Sequence, residues 1–279
     1  MTLQINSVFP LYASSVKAGF ITRLFFYPFR KRFNPMPEGP EIRRAADCIE
    51  ASIRGKKITG VEFTQQHLKQ WQQPLTGSRV ISVETRGKAM LTRFTNGLRL
   101  YTHNQLYGRW YCVDTGKKPD TRRQLRVAIH THDRSALLYS ASEIAVLTES
   151  EVETHPFLTR LGPDALSKQT TAALLLQRLM DRRFQRRQLA TLLTDQAFIA
   201  GIGNYLRCEI LFVCRLHPCM KPCQLKQQQL ALLAQSLLDV PRQSYESGGV
   251  THHLATAKKM IQHGTTLEDA RFWVFRREG

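Results

Sequence analysis

Apolar residues take up a helical spacing just after residue 40. Ile42, Ala45, Ala46, Ile49 and Ile53 fall on one face of a 3.6-residue period. Pro40 suits the first turn of such a helix, Glu41 suits the positive end of its dipole, and Gly55 provides a stop. From 57 to 141 the texture becomes that of strands. Short β-rich segments at 58–63, 80–85, 90–95, 98–102, 110–113, 125–131 and 136–139 are predicted as strands, with Asn96-Gly97 as a hairpin signal. After about residue 150 the leucines return to a helical period, and helices are predicted at 171–180, 188–195, 205–213 and 224–240. The stretch 246–270 is polar and has no clear period. The predicted class is α+β: an amino-terminal helix plus an antiparallel β-sandwich over 37–160, a linker at 161–169, and an all-α domain over 170–279.

Composition narrows the partner. The chain has 279 residues, 42% of them hydrophobic, which is enough to bury real cores. It contains no apolar run of the roughly 18 residues that would span a membrane. Lys and Arg number 40 against 22 Asp and Glu, a net charge of +18. Such a balance points to a polyanion, nucleic acid first, although a basic ribosome-associated or membrane-surface protein would share it. Residues 1–35 hold basic residues, eight aromatics and no acid. They read as an extension that is untranslated or without fixed structure, with Met36 as the alternative start; a transit-peptide composition is the other reading. The rest of the chain stays strongly basic without them. Cysteines 48, 112, 208, 214, 219 and 223 form no CxxC pair, so reduced thiols of a cytoplasmic protein are expected rather than a zinc site.

Two segments carry candidate chemistry. If Met36 initiates and is removed, Pro37 presents a free secondary amine, a nucleophile able to attack a sugar carbon. Glu38 beside it would serve as a general acid. The same segment also reads simply as a helix start with two compatible prolines. Gly201-Ile202-Gly203-Asn204, between predicted helices, would expose backbone N–H groups to a phosphate, or would only turn the chain between packed helices.

Four motifs, in order, carry a resemblance: Met-Pro-Glu-Gly-Pro-Glu-Ile at 36–42, Thr85-Arg86-Gly87-Lys88-Ala89, His103-Asn104-Gln105-Leu106-Tyr107-Gly108, and the segment 195–205 that ends in Gly201-Ile202-Gly203-Asn204-Tyr205. Over residues 36–245 the chain resembles the formamidopyrimidine-DNA glycosylase and endonuclease VIII family. The resemblance implies a helix–two-turn–helix motif in the all-α domain. It also implies a bifunctional DNA glycosylase and apurinic/apyrimidinic lyase that removes oxidised bases, pyrimidines above all, and nicks the strand by β-elimination. On that resemblance Pro37 is the nucleophile that forms a Schiff base with C1′, and Glu38 is the acid that assists ring opening. Lys88 contacts phosphate and serves the elimination, and Glu41 is a supporting carboxylate. Gln105, Leu106 and Tyr107 would fill the gap left by an extruded base, while Arg160 and Asn204 would contact DNA phosphates. The implied partner is double-stranded DNA with oxidised bases or abasic sites, met by a monomer in the cytoplasm, at the nucleoid, with no membrane involved.

Two departures qualify that expectation. In a chain read from Met1 the Pro37 nitrogen is an amide whose lone pair is delocalised, so it cannot attack C1′. The chemistry therefore requires a start at Met36, or processing that exposes Pro37. At the other end, 272–279 resembles the segment just before the family's four-cysteine zinc finger, and its ligands and δ-elimination arginine have no counterpart here. No cofactor is evident and the structural zinc is expected to be absent. The alternative to the enzyme is accordingly a catalytically inactive DNA-binding remnant. A basic protein on structured RNA is a third reading, in which the Pro-Glu start and Lys88 would have no purpose.

Overall fold

The computed structural model describes residues 37–276. The extension 1–35 and the alternative start at Met36 lie outside the described residues. Helix α1 (Gly39–Ile53) opens as its sequence dictates: Pro40 sits in the first turn, and the Glu41 carboxylate reaches back to the Glu38 N–H at 3.2 Å. Its apolar stripe is fully used, because Ile42, Ala46, Ile49 and Ile53 are all buried.

Among the described residues, eight strands follow. They are β1 (Gly60–Phe63), β2 (Val80–Arg86), β3 (Ala89–Phe94), β4 (Arg99–His103), β5 (Arg109–Asp114), β6 (Leu125–His130), β7 (Arg134–Tyr139) and β8 (Glu143–Leu147). They form two antiparallel four-stranded sheets, ordered β1-β6-β7-β5 and β2-β3-β4-β8. One core joins the α1 stripe to both: Val83, Met90, Phe94 and Leu100 from one sheet, Trp110, Val127, Ile129 and Leu138 from the other. The outer face of β3 and β4 is covered as well. Ala89, Leu91 and Tyr101 pack under Val152 of α2 (Glu149–Thr154) and under Leu158. That second cover explains why β3 reads as a nearly continuous apolar run rather than an alternating one. The Asn96-Gly97 turn is present, with Gly97 at φ +83°. The eighth strand, β8, falls outside the predicted set; it pairs along β4 from Arg99↔Leu147 to His103↔Glu143.

The helical part packs α3 (Ala172–Met180), α4 (Leu189–Leu192), α5 (Asn204–Val213) and α6 (Gln227–Glu246) around a second core that includes Leu175, Leu189, Phe198, Leu206, Ile210, Leu233 and Leu237. Thr171 caps α3 through the Leu174 N–H. Two expectations are corrected here. The helix predicted at 188–195 is only α4, because Asp195 turns its carboxylate onto the Ala197 N–H at 2.8 Å and the Arg187 guanidinium at 2.5 Å, which starts a loop. The helix expected to stop at Val240 runs through Pro241. Val240, Pro241 and Ser244 are buried, and the Ser244 carbonyl, near the helix end, accepts from Arg44 of α1 at 2.7 Å, so tertiary packing overrides the proline signal. The polar stretch left without a period forms α7 (Leu254–Gln262) and α8 (Leu267–Ala270). No helix among the described residues is long and apolar enough to cross a membrane.

Candidate active site

The two cores meet at main chain. The Gly39 N–H donates to the Gly201 carbonyl at 2.8 Å, and a Cβ on Gly39 would lie 3.1 Å from the Gly201 Cα. Gly87, at the tip of the β2–β3 hairpin, is tight as well: it has φ +61°, and a Cβ there would lie 3.0 Å from the Ala200 Cβ. The Gly87 N–H donates to the half-buried carboxylate of Asp164 at 2.7 Å, which ties the hairpin to the linker. The start of α1, the hairpin tip and the glycine loop before α5 therefore converge closely.

Glu38 sits where they converge, 1% exposed. Its carboxylate accepts from the backbone N–H groups of Gly203 at 2.6 Å and Tyr205 at 2.8 Å, with Leu206 more distant at 3.4 Å. A carboxylate at the amino end of α5 meets unsatisfied N–H donors and the positive end of the helix dipole. Lys88 reaches the same spot. A Cβ placed on Gly203 would lie 2.5 Å from Glu38 Oε1 and 2.7 Å from Lys88 Nζ. Burial pushes the Glu38 carboxyl up to about 7; the Lys88 charge and the backbone donors pull it down, and Glu41 pushes it up further. Burial also lowers the Lys88 ammonium below the usual lysine range, against the pull of Glu38 and Glu41. The result is an acid that is half protonated near neutral pH yet fixed in position, with an amine beside it that gives up its proton more readily than usual.

The sequence-predicted residues divide into three places. Glu38, Glu41 and Lys88 come together here, with Pro37 next to Glu38 in the chain. Glu41 accepts from the Tyr205 hydroxyl at 3.0 Å and pairs with Arg44 at 2.7 Å, with Arg271 at 3.8 Å. Asn204 opens α5 beside this cluster, exposed, its side-chain oxygen accepting from Arg207 at 2.5 Å. Gln105, Leu106 and Tyr107 occupy the β4–β5 turn. Ala89 pairs with His103, so this turn and Lys88 lie at the same end of the sheet. Leu106 and Tyr107 are 53% and 66% exposed, whereas Gln105, at φ +49°, is held by Ser142 and Glu143. Arg160 stands apart in a cleft of about 550 Å³ shared with Arg178, Arg183, Arg187 and Asp195. Neither that cleft nor a second of about 530 Å³ beside Arg43 and Asp164 is lined by Glu38 or Lys88.

One expectation is corrected. The N–H groups of the glycine loop read as available to phosphate are engaged within the protein: Gly201 donates to the Gln196 side chain, and Gly203 donates to Glu38. An internal carboxylate takes the place of an external anion. Tyr205, Arg44, Arg271 and Asp164 escaped the sequence reading. The loop's backbone donors are legible in Gly201-Ile202-Gly203-Asn204; their engagement by Glu38 is not. Glu209, wholly buried on α5, is another omission; it accepts from the N–H groups of Trp273, Val274 and Phe275 and so anchors the last described turn of the chain. Among the described residues, no group of three or more His, Cys, Asp or Glu is placed to hold a metal ion.

Residues 36–142 match the Formamidopyrimidine-DNA glycosylase N-terminal domain, and residues 161–256 match the Formamidopyrimidine-DNA glycosylase H2TH domain. The chain belongs to the formamidopyrimidine-DNA glycosylase family. Within it, the chain is 52% identical over 244 residues to Endonuclease 8 of Escherichia coli O17:K52:H18 (strain UMN026 / ExPEC), covering 88% of this chain and 89% of that protein. It is 50% identical to Endonuclease 8 of Salmonella arizonae over the same shares. Its fold is similar to that of Lactococcus lactis Fpg in complex with DNA containing an abasic site, with a TM-score of 0.67 at 20% identity over 76% of this chain and 79% of that one.

Proposed function

We propose that this protein is a bifunctional DNA glycosylase and apurinic/apyrimidinic lyase of base excision repair, acting on oxidised bases, pyrimidines above all. The observation that carries the reading is the Glu38 carboxyl: buried, fixed by backbone donors, pushed up to about 7 and adjacent in the chain to Pro37. With Pro37 as the mature amino terminus, its neutral amine attacks C1′ of an extruded nucleotide, the bond from C1′ to the base breaks, and the base leaves. Glu38 supplies a proton as the sugar ring opens, and the product is a Schiff base on Pro37. Lys88 stands across Gly203 from Glu38, placed to hold a phosphate and to assist β-elimination at the opened sugar. Leu106 and Tyr107 fill the vacancy that an extruded base leaves in the duplex, with Gln105 as their polar flank. Asn204 and Arg160 hold backbone phosphates. The partner is double-stranded DNA, met by a monomeric protein inside the cell, without a cofactor in the chemical step.

The test is borohydride trapping on duplex DNA carrying an oxidised pyrimidine. The chain starting at Met1 is compared with one starting at Met36, with initiator removal confirmed by mass spectrometry. The expected result is a covalent adduct from the Met36 form alone, lost on Pro37→Gly. No adduct from either form, with duplex binding intact, would overturn the enzymatic reading in favour of a DNA-binding remnant.

A further inference from the structure

The β4–β5 turn is exposed, yet the amide at its leading end is tethered. Gln105 Oε1 accepts from the Ser142 hydroxyl at 2.5 Å, and Gln105 Nε2 donates to Glu143 Oε2 at 3.2 Å. The Gln105 N–H donates to His103 Nδ1 at 3.2 Å, and its φ of +49° lies in the left-handed region that non-glycine residues seldom occupy. Ser142 immediately precedes β8, and Glu143 is the first residue of that strand, paired with His103 of β4. The other carboxylate oxygen of Glu143 accepts from the Tyr101 hydroxyl at 2.7 Å, and Tyr101 is 1% exposed. A line of hydrogen bonds thus runs from a core residue, through Glu143, to the side chain of Gln105. The far end of the turn has its own anchor, since the Tyr107 carbonyl accepts from the Arg123 guanidinium.

This line has a direction. The Tyr101 hydroxyl donates, and a carboxylate accepts from both sides and donates to neither. The Gln105 amide must therefore turn its NH2 towards Glu143 and its carbonyl towards Ser142, whose hydroxyl can serve either way. With those two bonds made, one N–H and one lone pair of the amide remain, in a fixed order. Beside the vacancy left by an extruded base stands the base that had paired with it. The six-position of a purine there is a donor in adenine and an acceptor in guanine. An amide held one way round tells the two apart, whereas an amide free to turn over does not.

We propose that Glu143 is a positioning residue that, through the Gln105 amide, sets the balance between lesions facing adenine and lesions facing guanine. The inference rests on the reading of Gln105–Tyr107 as the wedge. Its consequence concerns the substrate: an oxidised thymine faces adenine and an oxidised cytosine faces guanine, so the orientation of one amide weights two classes of damage. Glu143→Gln follows from the same rule. Tyr101 still needs an acceptor, so the new side chain gives its carbonyl to Tyr101 and turns its NH2 towards Gln105. Gln105 must then turn over to accept, and the Ser142 hydroxyl accommodates the reversed order. The donor and acceptor offered to the opposite base change places while the link to the core is kept.

The test titrates protein starting at Met36 with two duplexes that carry a stable abasic analogue, one opposite adenine and one opposite guanine. Binding needs no chemistry, and a variant that folds poorly weakens both duplexes alike, so the readout is the ratio of the two Kd values. Wild type should distinguish the duplexes, and Glu143→Gln should shift the ratio on the order of tenfold towards the other purine. Gln105→Ala, at an exposed position, should bring the two Kd values together, and adding Glu143→Gln to it should move the ratio no further. Equal Kd values for wild type, or an unchanged ratio in Glu143→Gln, would overturn the proposal. So would a shift that persists without Gln105. Borohydride trapping by the wild type reports separately on the enzymatic reading, and its failure would leave the binding ratios to be judged as they stand.

Discussion

The seat around Glu38 and the turn at Gln105–Tyr107 lie at the same end of one sheet and are built on opposite principles. In the seat, the carboxylate is buried, its oxygens are met by backbone donors, and the elements that frame it touch through glycine main chain. In the turn, the Gln105 side chain is held by Ser142 and Glu143 and the backbone by a Gly108 N–H to Asn104 carbonyl bond of 2.7 Å, yet Leu106 and Tyr107 face solvent. The first is complete in the protein alone. The second leaves apolar surface that only a partner can cover. Reacting groups must be held before the substrate arrives, whereas a wedge has nothing to fill until a base has left the stack.

That contrast breaks most sharply at the carboxylate. Glu38→Gln, in protein starting at Met36, should lower single-turnover base release by about a thousandfold, within the range for loss of a general acid. The pH profile carries the sign. Glu38 donates its proton, so the wild-type rate should fall as pH rises through about 7, and the variant should lack that limb. Gly203→Ala is the next largest effect. Its Cβ would lie 2.4 Å from the Glu38 carboxyl carbon, but the atoms it meets are side-chain ends, so the fold can give way locally. A loss of about a hundredfold in rate with Tm nearly unchanged is expected, because small misplacements of reacting groups are costly. A large fall in Tm instead would mean that the seat is a packing element first. Leu106→Ala should be the mildest. Stability should not move, processing of a lesion in duplex should fall on the order of tenfold, and cleavage at a single-stranded abasic site should be unchanged. Equal losses on both substrates would erase the distinction between seat and wedge.

The sequence was most legible where side chains carry the signal. The α1 stripe, seven strands and the α3 and α5 helices lie within a residue or two of their expected positions, since periodicity reports burial directly. β8 was missed because Glu-Ile-Ala-Val-Leu is short and merges into the acidic start of α2; only its long-range pairing with β4 defines it. α6 was cut short at Pro241 because the support at its end comes from Arg44, 200 residues away. At the site, Glu38, Glu41 and Lys88 are named from motifs and lie close together, with Pro37 beside Glu38 in the chain. The backbone donors of the glycine loop are legible in the sequence, but their acceptor is not, because Glu38 lies 165 residues from Gly203. Tyr205 and Arg271 were missed for a related reason: a buried aromatic and a late arginine look like core and surface until the fold brings them to Glu41.

The glycine contacts at Gly39, Gly87 and Gly201 bear on how this protein can change over generations. A junction lined by side chains can be retuned by exchanging one for another of similar volume. A junction of bare main chain has no such alphabet: no rotamers to repack and no methylene to trim. Sequence drift can remodel the wedge and the arginine cleft while the start of α1 and the glycine loop stay where the peptide backbone puts them. Variation in what is recognised is thereby separated from the chemistry that follows recognition.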